Sequence, residues 1–394
     1  MTWLDLPRDT GYGVTNLPYG VFSVAGDAPR TGVAIGDRVL DVAGVTSDPV
    51  HATGSLNAFM AQGVEAWAAL RAQLTQWLSD GAHRDRVEPH LVPRDQVTLH
   101  LPFEVADYVD FYSSQHHASN LGQLFRPGSP PLTPNWKHLP IGYHGRSGTV
   151  QVSGAPVVRP SGQRKAPSED VPTFGPSRRL DIEAEIGFVV GVPAAGPVPV
   201  TDFASHVFGV CVVNDWSARD LQAWEYVPLG PFLGKSFATS VSPWVVPLAA
   251  LGAARVDPPA RDVELLPYLD DTKERWGLDL RLTVSLNGVE VSKPPFRQLY
   301  WTAAQQLAHL TVNGASLRTG DLFASGTVSG EGHDERGSLI ELAWNGECPI
   351  SLPDGSTRTF LEDGDTVTIS ATAPAVDGSR LTLGEVTGRI EPAP

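Results

Sequence analysis

Short segments in which apolar and polar residues alternate recur along this chain, and glycine-containing turns separate them. Gly20-Val-Phe-Ser-Val, Arg38-Val-Leu-Asp-Val and Leu280-Arg-Leu-Thr-Val-Ser-Leu show the pattern most clearly. A period of two places successive side chains on opposite faces of an extended strand, so each segment predicts a half-buried β-strand. The 394 residues include 39 glycines and 34 prolines, a density that indicates many tight turns. The sequence therefore predicts a mainly β protein of the α+β class, with antiparallel sheets and few helices.

Three dipeptides mark the centres of predicted β-hairpins. Asn287-Gly288, Asn345-Gly346 and Asp354-Gly355 each lie between apolar runs. Asn-Gly and Asp-Gly favour two-residue hairpin turns because these residues tolerate a positive φ. On the same pattern, Leu339-Ile-Glu-Leu-Ala-Trp predicts a strand that leads into the Asn345-Gly346 turn.

Two segments depart from this pattern and predict helices. The second of them runs from about Tyr300 to Val312 and ends at Asn313-Gly314, a pair suited to a left-handed C-cap. The first carries five apolar residues spaced along one face of a 3.6-residue period: Trp67, Leu70, Leu74, Trp77 and Leu78.

The character of the sequence changes near Phe103, which predicts a domain boundary there. Residues 1–103 contain strand patterns and one helix but no cluster of chemically suggestive side chains. Beyond them, residues 126–146 are rich in proline, glycine, aromatic residues and arginine. We therefore expect an N-terminal unit of residues 1–103 and a larger β-rich unit of residues 104–394.

Charge and composition exclude several classes of protein. The formal net charge of −15 argues against a partner that is a nucleic acid, whose phosphates need a basic surface. No apolar run approaches the roughly 20 residues of a membrane-spanning helix, so we expect no membrane partner. The N-terminus has neither a basic start nor a sustained apolar core, and Cys211 and Cys348 are the only cysteines. These features predict a cytoplasmic protein without a secretory signal or a disulfide framework.

The most informative segment for chemistry is Asp181-Ile-Glu-Ala-Glu-Ile-Gly-Phe-Val-Val. If it is a strand, Glu183 and Glu185 lie on one face, with about 7 Å between them. Two carboxylates this close in an apolar strand need a cation, a shared proton or open solvent. One interpretation is therefore a cation site, and the other is a sheet with one solvated face.

A second acidic residue comes at the end of a strongly apolar run. Val207-Phe-Gly-Val-Cys-Val-Val leads into Asn214-Asp215, and Ser217-Ala-Arg-Asp220 resembles a helix-capping box. Asp215 is therefore either a turn residue or part of a site. On the helix that follows, Arg219 and Gln222 share a face, which either points toward a site or is solvated.

Three further segments contribute candidate groups. In Asp110-Phe-Tyr-Ser-Ser-Gln-His-His-Ala, Ser113 or Ser114 is expected to cap a short helix that ends at Gly122. One of the adjacent histidines, His116 and His117, is a candidate base or else a structural hydrogen-bonding group. Lys235 follows an apolar, glycine-rich run, and Glu341 interrupts the predicted strand at Leu339.

Taken together, these acids fit a hard divalent cation. Four carboxylates match the all-oxygen preference of Mg²⁺ or Ca²⁺: Asp110, Glu183, Glu185 and Asp215. The scarcity of cysteine and the lack of a suitably spaced histidine pair argue against zinc. Spacing along the chain does not show whether these acids converge.

Five blocks of sequence resemble the fumarylacetoacetate hydrolase family. They are Asp110-Phe-Tyr-Ser-Ser, Pro140-Ile-Gly-Tyr-His-Gly-Arg, Arg179-Leu-Asp-Ile-Glu-Ala-Glu, Asn214-Asp-Trp-Ser-Ala-Arg-Asp and Trp224-Glu-Tyr-Val-Pro-Leu-Gly-Pro-Phe-Leu-Gly-Lys-Ser-Phe. The similarity continues through Ala324-Ser-Gly-Thr-Val-Ser-Gly to about residue 390, whereas the first hundred residues match less distinctively. The resemblance implies a small N-terminal SH3-like barrel, a β-rich catalytic domain of the family type and a homodimer.

The resemblance also implies metal-dependent hydrolysis of a carbon–carbon bond in a β-diketo acid, with fumarate and acetoacetate as products of tyrosine and phenylalanine degradation. It implies a general base at His117 and an orienting carboxylate at Glu341. The implied divalent-metal ligands are Asp110, Glu183, Glu185 and Asp215. A second, structural cation is implied near Asp215, Lys235 and Thr239, where the lysine offers only its carbonyl oxygen.

The remaining implied residues face the substrate. Those around the developing negative charge are Arg219, Gln222 and Lys235. Those that hold the substrate's carboxylates and keto oxygens are Tyr112, Arg126, Tyr143, Tyr226 and Thr327, with Gln222 also in contact.

Two other functions stay open at this stage. One is a related enzyme of the same superfamily, namely an acylpyruvate hydrolase, a decarboxylase or an isomerase of an oxo acid. The other is a non-catalytic β-sheet module that binds Ca²⁺ for stability. The pairing of His117 with Glu341 favours hydrolysis, because enolate chemistry alone needs no group that activates water.

Overall fold

The computed structural model describes residues 2–7 and 10–394. Its N-terminal part forms antiparallel strands and one long helix, and the two alternating segments predicted there, at residues 20–24 and 38–42, both contribute strands. β1 pairs with both β2 and β5, and β3 joins β2 to β4. The elements are β1 (Tyr19–Ser23), β2 (Arg30–Ile35), β3 (Arg38–Asp41), α1 (Val42–Thr46), α2 (Asn57–Met60), α3 (Val64–Ser79), α4 (Arg84–Val87), β4 (Leu91–Pro93) and β5 (Thr98–His100).

Helix α3 confirms the prediction made from apolar spacing. All five residues of the predicted stripe are buried in it. One of them, Trp67, packs edge-on against Phe208 from the larger part of the chain, with ring centroids 5.2 Å apart. The stripe therefore attaches the N-terminal helix to the rest of the molecule.

The larger part of the chain is also mainly β, as predicted. Its first half comprises β6 (Tyr108–Phe111), α5 (Gln115–Phe125), β7 (Gly142–His144), β8 (Val150–Val152), β9 (Val157–Val158), β10 (Ser161–Arg164), β11 (Thr173–Pro176), β12 (Leu180–Asp181), β13 (Ala184–Val190), α6 (Phe203–His206), β14 (Val207–Asp215), β15 (Ser217–Ala218), α7 (Arg219–Glu225), β16 (Thr239–Val241) and β17 (Trp244–Pro247). Its second half comprises β18 (Arg255–Val256), β19 (Gly277–Leu278), β20 (Arg281–Leu286), β21 (Val289–Ser292), α8 (Ala303–Thr311), β22 (Leu322–Ala324), α9 (Leu339–Leu342), β23 (Ile350–Ser351), β24 (Thr357–Arg358), β25 (Thr366–Pro374) and β26 (Arg380–Glu391).

One large sheet runs through both parts, in the order β4-β3-β2-β1-β17-β14-β13-β22-β6-β7. The two parts meet where β1 pairs antiparallel with β17, with Tyr19 opposite Val245. β13 and β14 are buried along their whole length, as expected for apolar strands in the middle of a sheet. A second sheet, in the order β21-β20-β25-β26-β9, packs against the first over a common core.

Two of the three predicted hairpins are present. Asn287 and Gly288 both have positive φ, and they join β20 to β21. Asp354-Gly355 lies between β23 and β24, which pair antiparallel. α8 also agrees with its prediction: it begins with a capping box at Thr302, and Gly314 beyond its end has a φ of +95°.

The predicted strand at residue 339 and the hairpin that follows it are wrong. Leu339–Leu342 is the helix α9, and Asn345-Gly346 lies in a 3₁₀ turn after it. A side chain distant in sequence stabilises the start of this helix, because Asp181 accepts hydrogen bonds from the backbone N–H groups of Leu339 and Ile340.

Two predictions of helix ends also need correction. Ser114 caps α5 as expected, but the helix continues past Gly122 to Phe125. Gly122 serves close packing instead, since a Cβ there would lie 1.8 Å from the carbonyl oxygen of Pro131. The predicted capping box at Ser217 is absent: that residue belongs to β15, and α7 begins at Arg219 without a side-chain cap.

No helix among the described residues is both long and apolar enough to cross a membrane.

Candidate active site

The central sheet brings together acids that are far apart in sequence. β22 pairs with both β6 and β13, so that Ala324 lies opposite Asp110 on one side and Gly187 on the other. Glu185 is the second residue of β13, and Asp215 is the last residue of the adjacent β14. The four acids predicted from sequence therefore lie at one end of neighbouring strands.

Three of these acids form a tight, buried group. One carboxylate oxygen from each of Asp110, Glu183 and Glu185 lies within 4.8 Å of the others. Oδ1 of Asp110 and both carboxylate oxygens of Glu185 are buried and accept no hydrogen bond from the described residues. Buried carboxylates normally have partners, so these orphaned oxygens fit a divalent cation. The alternative of a solvated sheet face is wrong for this pair of glutamates.

The pKa values of these acids depend on what neutralises them. Burial, and next the charges of neighbouring carboxylates, raise the pKa of Asp110 and that of Glu185 well above the ordinary range. Burial also acts on Glu183, but the cations of Lys235 and Arg219 outweigh it and lower the pKa of that carboxyl. Glu183 is therefore ionised without a metal, whereas the other two acids need an added positive charge to ionise fully.

Asp215 has a different environment from the three clustered acids. Its Oδ1 accepts a hydrogen bond from Thr239 Oγ1 (2.8 Å). Its Oδ2 accepts from Lys235 Nζ (3.0 Å) and from the Tyr143 hydroxyl (2.9 Å). Asp215 is thus no turn residue, and Lys235 joins it to Glu183, to which the lysine also donates. Burial raises the pKa of Asp215, although Lys235 opposes that shift.

A buried histidine–carboxylate pair lies next to this cluster. His117, in the first turn of α5, is 2.7 Å from Glu341 Oε2 through its Nδ1. Glu341 also accepts hydrogen bonds from Asn120, Ser329 and Ser338. Burial would raise the pKa of Glu341, but the charge of His117 and these hydrogen bonds hold it at about 2.

The ionised Glu341 decides how His117 is protonated. A carboxylate only accepts hydrogen bonds, so Nδ1 of His117 carries a proton toward Glu341, and Nε2 makes no hydrogen bond with the described residues. His117 is close enough to Glu183 to lower the pKa of that acid. The histidine–carboxylate pair therefore lies next to the acidic cluster. Of the two adjacent histidines, His117 is the one that bonds to Glu341, and His116 is only partly buried.

Arg219 lies between the two groups rather than on a solvated helix face. It is buried, and its Nη1 donates to Glu183 Oε1 (2.8 Å) and to Gln222 Oε1 (3.2 Å). Its Nε donates to Asp181 Oδ2 (2.8 Å). Nη2 is buried without a partner among the described residues, so it is available to a bound anion. Burial would lower the pKa of Arg219, but Asp181 and Glu183 raise it.

The predicted substrate-binding residues are only partly brought together. Tyr112 packs edge-on against His117, with ring centroids 5.4 Å apart. Thr327 is buried, and its hydroxyl has no partner in the part of the chain that the structure describes. Arg126, partly buried, donates to the carbonyl oxygen of Pro131. Tyr226, in contrast, is exposed, and its hydroxyl makes no hydrogen bond within the described part of the chain.

Several residues that hold the site were missed by the sequence reasoning. Asp181 shares the two-residue spacing of Glu183 and Glu185, which is a signal that would have singled it out. Asn120 lies three residues after His117, and Ser338 lies three before Glu341, so helical spacing would have placed both near the pair.

Comparisons with known proteins agree with this architecture. The family model described as "Fumarylacetoacetate (FAA) hydrolase C-terminal" matches residues 107–391, and "Fumarylacetoacetase N-terminal" matches residues 15–102. The chain is 44% identical to fumarylacetoacetase of Homo sapiens over 417 residues and 45% identical to that of Caenorhabditis elegans over 418 residues. Both alignments cover 100% of this chain and 99% of the relative.

The chain also shares its fold with a solved fumarylacetoacetate hydrolase. The fumarylacetoacetate hydrolase of Exiguobacterium antarcticum superposes with a TM-score of 0.58 at 17% identity, covering 95% of this chain and 99% of the other. The chain belongs to the fumarylacetoacetate hydrolase family.

Proposed function

We propose that this protein hydrolyses the carbon–carbon bond of 4-fumarylacetoacetate and releases fumarate and acetoacetate, the last step of tyrosine and phenylalanine degradation. One observation carries the proposal: the His117–Glu341 pair lies beside a buried acidic cluster with unpaired oxygens. The full-length identity to fumarylacetoacetases supports the choice of substrate.

The acidic cluster is the proposed metal site. Asp110, Glu183 and Glu185 offer the clustered oxygens, with Asp215 as a fourth ligand. An all-carboxylate set suits Mg²⁺ or Ca²⁺. When bound, such a cation supplies Lewis-acid stabilisation of charge on the diketo oxygens. Thr239, with the carbonyl oxygen of Lys235, is the proposed second cation site beside Asp215.

His117 is the proposed general base. Its Nε2 takes a proton from water while the water oxygen forms a bond to the substrate carbonyl carbon. The carbon–carbon bond then breaks, and the electron pair moves into the acetoacetate enolate. His117 returns its proton to that enolate carbon, so the histidine ends as it began. Glu341 fixes the ring and stabilises the imidazolium, as the third member of a catalytic triad does.

The positive groups around the cluster are proposed to stabilise the developing charge. Nη2 of Arg219 has no partner among the described residues, and Gln222 uses its oxygen to accept from Arg219, which leaves its amide N–H groups as the donors it can offer. A preorganised donor of this kind typically contributes about 10²–10³ in kcat. The net charge of −15 repels an anionic substrate, so Arg219 and Lys235 are proposed to offset that repulsion locally.

Five residues are proposed to hold the substrate's carboxylates and keto oxygens. Three of them, Tyr112, Tyr143 and Thr327, are buried or partly buried near the acids. Arg126 is near enough to Tyr112 to oppose the rise in the pKa of that phenol, which burial and the charges of Glu341 and Glu183 cause. Tyr226 completes the set from the loop after α7.

The direct test is a spectrophotometric assay with product analysis. Purified protein with Mg²⁺ or Ca²⁺ should remove the ultraviolet absorbance of fumarylacetoacetate and yield fumarate and acetoacetate in equal amounts. A chelator should abolish the reaction, and His117→Ala should lose nearly all turnover while it still binds metal. Release of CO₂, isomerisation without cleavage, or preference for another acylpyruvate would instead assign a related superfamily activity. A cation that changes only the melting temperature would indicate a structural module.

We also propose that the protein is a cytoplasmic homodimer. Residues 226–233 form an apolar loop after α7, in which Leu229 is 97% exposed and Phe232 is 68% exposed. An exposed apolar stretch of this kind is typical of a protein–protein interface. Light scattering of the purified protein should give twice the chain mass, and Leu229→Asp should shift it toward the monomer. The two free cysteines suit a reducing compartment.

A further inference from the structure

Asp181 is a buried carboxylate whose hydrogen bonds all come from residues around the site. Its Oδ1 accepts from the backbone N–H groups of Ile182 and Leu339, both at 2.7 Å. Its Oδ2 accepts from Arg219 Nε at 2.8 Å and from the backbone N–H of Ile340 at 3.1 Å. The side chain is fully buried, so these four bonds fix it in place.

These bonds connect the two halves of the site. Leu339 and Ile340 are the first residues of α9, which carries Glu341 immediately afterwards. Arg219 in turn holds Glu183, one of the clustered acids, through Nη1. One carboxylate therefore ties the helix that bears the orienting glutamate to the cation that contacts the acidic cluster.

We propose that Asp181 is a positioning residue that sets the histidine–glutamate pair at a fixed distance from Arg219. The inference rests on the roles proposed above for Arg219 and Glu341. Asp181 does not face the reacting atoms and acts only through these two neighbours. Its effect on rate follows from geometry, since misplacement of a reacting group by about 1 Å costs about 10²-fold.

The informative substitution is Asp181→Asn. The amide keeps the size of the side chain but replaces one acceptor with an N–H donor. In either orientation of the amide that donor faces a backbone N–H of α9, and in one of them it also faces the Arg219 Nε–H. Two donors then meet, and one neighbour shifts away. We expect kcat to fall by about 10² with little change in KM, because the ground-state contacts to substrate remain.

A matched control is available elsewhere in the chain. Asp365 is also buried, with 3% of its surface exposed, and it likewise accepts hydrogen bonds from an arginine, Arg358, and from a backbone N–H, that of Glu362. It lies in the turn before β25 and contacts none of the proposed site residues. Asp365→Asn should therefore reproduce the loss of stability without the loss of kcat.

The deciding measurement does not depend on activity. The proton in the short His117–Glu341 hydrogen bond should give a far-downfield signal in the proton NMR spectrum, assigned by its absence from Glu341→Gln. We expect Asp181→Asn to shift or broaden this signal, and Asp365→Asn to leave it unchanged. If Asp181→Asn does not fold, Asp181→Glu keeps the charge but displaces α9, and the same shift is expected.

The proposal is overturned if the signal is the same in the Asp181 variant and in the wild type, or if kcat falls no further than in Asp365→Asn. A protein that cleaves no fumarylacetoacetate would contradict the proposed function, while the NMR comparison would still decide the role of Asp181.

Discussion

The two halves of the site differ in how completely their polar atoms are paired. Around Glu341, both carboxylate oxygens are taken by His117, Asn120 and two serines. Around the acidic cluster, both oxygens of Glu185 and one of Asp110 are buried and have no hydrogen-bond partner in residues 2–7 and 10–394. The first half is complete as the chain folds, whereas the second is completed only by a positive ion. From this difference we expect the proposed base and the proposed cation site to fail separately when single side chains are changed.

The largest expected effect comes from a substitution in the His117–Glu341 pair, the half of the site whose carboxylate oxygens are all paired. Glu341→Gln keeps the shape of the side chain but removes the charge that sets the proton on His117 Nδ1. We expect kcat to fall by about 10⁴, the loss seen when a triad carboxylate is replaced by its amide. Metal affinity, measured by calorimetric titration with Mn²⁺, should stay at the wild-type value. A parallel loss of metal binding would show that the two halves are not independent.

A smaller effect is expected from a substitution in the acidic cluster, the half of the site with unpaired oxygens. Glu185→Gln removes one of the clustered charges, so the affinity for Mn²⁺ should fall by more than the roughly 10–100-fold that is typical for loss of an outer partner of a ligand. Saturating metal should restore part of kcat, because the His117–Glu341 pair is untouched. Unchanged affinity in the same titration would remove Glu185 from the metal site.

The pH dependence of stability sharpens the comparison further. Without a cation, Asp110 and Glu185 have a pKa raised by burial and by neighbouring carboxylates. A carboxyl that binds its proton more tightly in the folded chain stabilises the fold at low pH and loses that contribution as pH rises above the unfolded value. The free energy of unfolding of chelator-treated protein should therefore fall as the pH rises above about 4, the ordinary pKa of a carboxyl, by up to about 1.4 kcal/mol per pH unit for each of these two carboxyls.

Glu185→Gln is the control for this titration. His51 and His309 have a pKa lowered by burial, and they add an opposite slope below about pH 6.5. Both histidines remain in the variant. The difference in pH dependence between the chelator-treated wild type and chelator-treated Glu185→Gln therefore comes from the acidic cluster. Denaturant titrations should show a flatter dependence in Glu185→Gln. The same slope in both proteins would mean that the carboxyls of the cluster do not bind protons more tightly in the folded chain than in the unfolded chain.

The smallest effect is expected from a single bond in the complete half. Ser338→Ala removes one of the donors to Glu341, while His117, Asn120 and Ser329 remain. The free energy of unfolding should fall by about 1.5–3 kcal/mol, as for other hydrogen bonds to a charged group. Because three partners still hold the carboxylate, kcat should fall less than about tenfold. A loss as large as that of Glu341→Gln would place Ser338 itself in the chemistry.

The parts of the fold that depend on local sequence were predictable. The stripe of α3 and the Asn287-Gly288 turn follow from periodicity and from backbone preference, which neighbouring residues decide. The acids of the cluster were also predictable one by one. Their convergence was not, because β22 brings Asp110 and Glu185 together through strand pairing across more than 70 residues of sequence.

Two of the incorrect predictions have a common physical cause. Leu339–Leu342 has the apolar character of a buried strand interrupted by Glu341, yet it is a helix whose first backbone N–H groups bond to Asp181, 158 residues away. Ser217 has the composition of a cap, but it pairs with Asp181 in a short ladder instead. In both places a tertiary contact overrides a local preference. Both contacts lie at the proposed site, where local and global demands most often conflict.

The most direct test of the two-part site is the position of a bound cation. Crystals grown with Mn²⁺ should give an anomalous scattering peak between Asp110 and Glu185, at about 2.0–2.6 Å from their carboxylate oxygens, with His117 still bonded to Glu341. A structure in which Mn²⁺ binds elsewhere while these carboxylates stay unpaired would contradict the account.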